Sequence, residues 1–169
     1  PRSRHLLSVA KTIPKISGEF KFYKSSSDRI ETVLNAFSKC VVNVVYITVD
    51  KYDYNGKFYG LHGVELYSSV LEELLMESMG FITGHDVNLI IDDNSFISLK
   101  SLRRLAESCS SKCMCNVKRC EKVVSHHETC VQIADVVVGS IHRSYENGES
   151  KFIEIIKERV SIALSLIHI

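Results

Sequence analysis

The sequence predicts an α/β fold, a mostly parallel central sheet flanked by helices, in one domain spanning residues 1–169. Three observations predict it. Two short runs, 41–49 and 87–91, are apolar on both parities and rich in β-branched residues, as strands covered on both faces are. Between and after them, apolar residues recur at spacings of three and four, the mark of amphipathic helices. Strands that alternate with helices in this way pair in parallel, because each helix carries the chain back across the sheet.

The elements follow in order. Ser25-Ser26-Ser27-Asp28 opens the regular pattern: Ser25 with Asp28 has the form of a capping box, and an acid in the first turn suits the helix dipole. Ile30, Val33, Leu34 and Phe37 then lie on one helical face. After the 41–49 strand, residues 51–63 are rich in Tyr, Gly and Lys and read as a loop. Val64, Tyr67, Val70, Leu71, Leu74 and Leu75 mark a second helix, stopped by Gly80. The 87–91 strand ends abruptly in Asp92-Asp93-Asn94. Leu99, Leu102, Arg103, Leu105 and Ala106 mark a third helix, and 116–124 a third strand. From 130 to 145 the pattern is helical and largely apolar, closed by Asn147-Gly148. A last amphipathic helix is expected from Lys151, with Phe152, Ile155, Ile156 and Ile162 on one face. The 41–49 strand is too apolar for an exposed edge, so residues 5–23, upstream strands or a dimer partner are expected to cover it.

Composition narrows the function classes. Hydrophobic residues make up 45% and charged residues 24%, which argues for a packed core and against disorder. The net charge is +1, so no global field draws the chain to nucleic acid or anionic membrane, and any polyanion binding must come from a local patch. No apolar run reaches the length of a membrane span. The start, Pro1-Arg2-Ser3-Arg4-His5, has no apolar core of a secretion signal and lacks Met. A cytoplasmic, N-terminally incomplete chain with six reduced cysteines is therefore expected.

Three carboxylates stand out in apolar surroundings. Asp92 and Asp93 follow directly on a strand, where ligand sites of parallel sheets lie. The competing reading is a capped turn with a solvated Asp93. Asp135 sits in a helix that reads apolar nearly all round, and its exceptions, Gln132, Asp135, Gly139 and His142, share one face. A carboxylate there is costly unless paired or metal-bound. Its alternatives are a structural hydrogen bond and a divalent cation of the Mg²⁺ type, which prefers oxygen ligands. His142 and Arg143 would flank such a site, although a His at a helix end is commonly held by the dipole. Cys109, Cys113, Cys115, Cys120 and Cys130, with His126 and His127, invite a zinc reading but lack the paired C-x₂-C spacing of structural sites.

The stretch Gln132-Ile133-Ala134-Asp135-Val136-Val137-Val138-Gly139-Ser140-Ile141-His142-Arg143 resembles the prokaryotic family called "domain of unknown function 3800", which carries a Gln-x-Ala-Asp helix. Glu19-Phe20-Lys21 and Ile90-Ile91-Asp92-Asp93 are similar to two further landmarks, and the resemblance runs over about 18–158. It implies a ribonuclease H-like fold with an acidic, metal-binding centre. Glu19, Asp92 and Asp135 would form the acidic set with Lys21 and Gln132 nearby, and Asp93 competes with Asp92. The family's opening strand, with its Asp-Glu-Ser-Gly motif, has no counterpart here.

Two functions follow as expectations. One is a Mg²⁺- or Mn²⁺-dependent nuclease-like or phosphoryl-transfer domain. Glu19, Lys21, Asp92 and Asp135 would be catalytic, Asp92, Asp93 and Asp135 metal-ligating, and Gln132, His142 and Arg143 substrate-binding. Its substrate would be nucleic acid or another phosphate-bearing molecule. The other is a non-catalytic interaction module on the same fold, with a structural zinc protein behind both.

Overall fold

The structure is a computed structural model that describes residues 20–49 and 56–165. In chain order the elements are α1 (Ser27–Ser38), β1 (Val44–Thr48), α2 (Gly63–Gly80), β2 (Asp86–Asp92), α3 (Leu99–Lys112), β3 (Asn116–Val123), α4 (Thr129–Asn147), α5 (Lys151–Ile156) and β4 (Val160–Ser165). Single 3-10 turns form at Phe22–Lys24, Ser125–His127 and Lys157–Arg159. The chain is thus α/β, and the contacts of its described residues divide them into two compact units: 20–44 with 124–161, and 45–49 and 56–123 with 162–165.

In the first unit, α1 buries Ile30, Val33, Leu34 and Phe37, the face its spacing predicts. It packs against α5, whose Phe152 and Ile156 are fully buried. Arg159 Nε closes the C-terminal end of α1 by donating to the Ser38 carbonyl at 2.6 Å. The start of α1 differs from the expected capping box. Its N-cap is Ser26, with no side-chain capping bond, because the Ser25 hydroxyl is drawn to the preceding turn and donates to the Lys21 carbonyl at 2.8 Å.

Helix α4 begins on Glu128, whose carboxylate accepts from Cys130 N–H at 3.3 Å. It ends on Gly148, at φ 66°, a left-handed stop that glycine adopts without strain. It buries Ile133, Val136, Val137, Ser140 and Ile141 but leaves Ala134, Asp135 and Val138 exposed. The expected burial nearly all round is therefore incomplete, and Asp135 lies on the wet stripe.

In the second unit, β2 and β3 pair in parallel through the α3 crossover. Their register runs from Asp86 opposite Asn116 to Asp92 opposite Val123, with a shift between Val87 and Asn88. Leu71, Leu75 and Met79 of α2 and Leu102, Ala106 and Cys109 of α3 form one core with Val87 and Cys120. Val64, expected on the inner face of α2, is exposed.

A second two-stranded sheet pairs β1 with β4, whose residues 45–48 and 162–165 belong to this unit. Here the expected long terminal helix is corrected. It stops at Ile156, the charged turn Lys157–Arg159 follows, and Val160–Ser165 is a strand. Phe152, Ile155 and Ile156 satisfy helical spacing, but Val160 and Ile162 alternate and are β-branched. That strand gives the apolar β1 its hydrogen-bonding neighbour. No helix among the described residues is long and apolar enough to cross a membrane.

Candidate functional site

The polar stripe of α4 exists, and a chain segment from 112 residues earlier lies on it. Phe20 N–H donates to Gln132 Oε1 at 3.3 Å, and Phe22 N–H donates to Asp135 Oδ2 at 3.0 Å. The Phe22 ring is 2 % exposed and seats directly over Gly139. A Cβ at Gly139 would stand 2.3 Å from Phe22 Cγ, so only glycine admits the ring at this height. The Tyr23 hydroxyl and His142 Nδ1 are 2.8 Å apart.

The four residues that share a helix face thus meet three residues of the 20–23 segment: Gln132 meets Phe20, Asp135 and Gly139 meet Phe22, and His142 meets Tyr23. The two phenylalanines point inward while Lys21, between them, is exposed. Gln132 is doubly used, since its Nε2 donates to the Ser125 carbonyl at 2.9 Å.

The basic neighbours are also engaged. Arg143 Nε pairs with Glu149 at 3.3 Å, and its guanidinium lies 5.5 Å above the Phe22 ring and 5.6 Å above Phe152. His142 Nε2 is 3.2 Å from Glu146. Asp135 itself is exposed, and among the described residues only Phe22 bonds its carboxylate. Glu19, expected beside it, lies outside the described residues.

The second locus lies in the second unit, at the carboxyl end of β2. Asp92 is exposed, and its side chain has no partner among the described residues. Asp93 pairs with Lys122 Nζ at 2.9 Å, and the same ammonium bonds the Asn94 carbonyl. Asn94 organises the turn, a role its amide supports by bonding backbone two residues away. Its Nδ2 donates to the Asp92 carbonyl at 3.1 Å and to the Tyr67 hydroxyl at 3.0 Å, while its Oδ1 accepts from Phe96 N–H at 3.0 Å. Tyr67 and Phe96 stack with centroids 5.4 Å apart and planes 16° from parallel.

The sequence marks the aspartates, places Asn94 in the turn after them and Tyr67 on a helix face, but carries no sign of Lys122 or Phe96 at this locus. Asn94 after two aspartates was the available clue, since Asp and Asn are turn formers for the same physical reason.

The cysteines behave as small apolar residues. Cys113 Sγ donates to the Met76 carbonyl and Cys115 Sγ to Met79 and Ile82 carbonyls. Burial pushes the Cys109, Cys120 and Cys130 thiols up from their ordinary value. Among the described residues no three His, Cys, Asp or Glu side chains gather as a metal site would require. No protein-family model matches the chain, and neither a curated protein nor a solved structure is significantly similar to it.

Proposed function

We propose that this chain is a nuclease-like, phosphoryl-transfer domain of the ribonuclease H-like kind it resembles, with Asp135 as its leading carboxylate for Mg²⁺ or Mn²⁺. One observation carries the reading: Asp135 is exposed, and one of its oxygens is fixed by the Phe22 N–H. Carboxylates that hold metals are typically oriented by such hydrogen bonds, which leave the second oxygen for the cation. Mg²⁺ commonly takes only one or two protein carboxylates and completes its shell with water and substrate phosphate. A bound divalent ion would supply charge stabilisation at the phosphate and a more acidic water. Glu19, Asp92 and Asp93 enter through the resemblance and the sequence, with Lys21 and Arg143 as cations that offset phosphate charge.

A second reading rests on the same bond. The rail of Gln132, Asp135, Gly139 and His142 is spent on holding residues 20–23, as in a non-catalytic module that uses its acid structurally.

Asp135→Asn separates the two, because the amide keeps an oxygen to accept the Phe22 N–H but loses the charge. Calorimetric Mn²⁺ titration should show binding to the native chain and its loss in Asp135→Asn, with the thermal midpoint little changed. Equal Mn²⁺ binding by both proteins, or none by the native chain, would sink the metal reading and leave the structural one.

A further inference from the structure

The end of β2 is joined to an apolar groove of about 430 Å³, lined by Leu66, Tyr67, Val70, Leu74 and Phe96. Its rim is aromatic. Phe96 stacks on Tyr67 yet keeps 47 % of its surface exposed. Through Asn94, this stacked pair is tied to the Asp92 carbonyl, so the groove opens where a parallel sheet presents ligands.

A run of cations follows directly. Lys100, Arg103 and Arg104 are exposed on the first turns of α3, and none has an ion-pair partner among the described residues. Lys100 is four residues from Phe96, within about 15 Å even for an extended chain.

This charge placement works against the helix. Cations oppose the dipole at an N-terminus, and like charges three and four residues apart repel one another. No acid stands in the first turn of α3 to offset them. Of the acids around it, Asp93 is held by Lys122, Glu65 lies at the start of α2 and Glu107 lines a separate pocket with Arg103, while the Asp92 carboxylate is exposed at the end of β2.

An exposed ring followed within eight residues by three exposed cations matches the chemistry of an aromatic base on a phosphate backbone. Stacking on side-chain rings and a neighbouring basic surface are what single-stranded nucleic acid uses, since every base has a π face. A duplex hides its bases, and a lipid surface offers nothing to stack on Phe96.

We infer that the second unit binds single-stranded nucleic acid, one base stacking at Phe96 in the Tyr67 groove and adjacent phosphates meeting Lys100, Arg103 and Arg104. This deepens the phosphoryl-transfer reading by naming its substrate class, and it rests on that reading only for the chemistry near Asp92. Binding itself requires no metal.

The test uses the full chain in EDTA and fluorescence anisotropy with labelled single strands of about 12 nucleotides, ribo- and deoxyribo-, and their duplex. Single strands should bind at least about tenfold tighter than the duplex, and a preference for one sugar would name the natural strand. Phe96→Ala, at an exposed position, should weaken binding by about five- to a hundredfold with the circular dichroism unchanged, and Phe96→Trp should restore it.

Arg103→Gln with Arg104→Gln should lower the salt slope by about two. Duplex or heparin binding as tight as the single strand, or Phe96→Ala equal to the native chain, would overturn the proposal and leave a plain polyanion surface. Should Phe96→Ala fail to fold, the strand-versus-duplex comparison and the arginine pair still decide. Because EDTA removes divalent ions, the Mn²⁺ result at Asp135 can fail without touching this one, and the reverse.

Discussion

At Gly139 two effects of known size compete. Replacing a mid-helix glycine by alanine gains about 1 kcal/mol of helix propensity. Against this, the new methyl would stand 2.3 Å from a buried ring that is itself packed edge-on to Phe152 at 5.7 Å. Overpacking of this kind costs about 1–3 kcal/mol, and displacing Phe22 also strains the Asp135 bond. Gly139→Ala is therefore expected to destabilise by about 1–2 kcal/mol in urea melts. Gly80→Ala, where nothing lies within 4 Å, should be neutral or stabilising. A stabilised Gly139→Ala would show that the ring does not bear on this position. Sequence spacing alone disclosed that Gln132, Asp135, Gly139 and His142 share a face. It did not disclose what they hold, because Phe22 lies 113 residues from Asp135 and no local pattern links them.

At the scale of elements, periodicity was informative wherever it ran long. The buried face of α1 and the ends of α2 and α4 follow from it, as does the β2–α3–β3 crossover, whereas of the five residues expected on the α3 face only Leu102 and Ala106 are buried and Leu99 and Arg103 are exposed. It misled at the short terminal run, where six residues of helix give way to a strand and only the partner β1 decides. Turn chemistry was the other gap. Asn94 fastens the loop after β2 with three side-chain hydrogen bonds, whereas Asp93 contributes an ion pair from a carboxylate that is 55 % exposed. Asn94→Ala should cost about 1 kcal/mol or somewhat more, since three hydrogen bonds are lost together and water replaces part of the two exposed ones. Asp93→Ala should cost under about 1 kcal/mol, because exposed pairs are weak and Lys122 keeps the Asn94 carbonyl. Chemical denaturation of both variants measures the order, and the reverse order would mean that Lys122 and not Asn94 secures the loop.

Over the whole molecule, a net charge of +1 conceals local asymmetry, and the α/β class was legible while the division into two units was not. The first unit joins residues 20–44 to 124–161, a long-range arrangement that no window of sequence displays. Both units carry thiols that respond to pH in the same sense. Burial raises Cys109, with Glu72 adding to it, and burial raises Cys120; in the first unit burial raises Cys130, aided by Glu128. Below their ordinary value of 9.0 these thiols are protonated in folded and unfolded chains alike, so their contribution to stability is complete. Above it the unfolded chain releases protons that the folded chain retains, and stability is lost as pH rises through the folded values. The urea midpoint should therefore be flat approaching pH 9 and decline beyond it. Cys130→Ala, at a half-buried position that tolerates the change, should make the decline shallower. An identical slope in that variant would assign the alkaline loss to other groups, and a midpoint that rises above pH 9 would contradict the burial of these thiols.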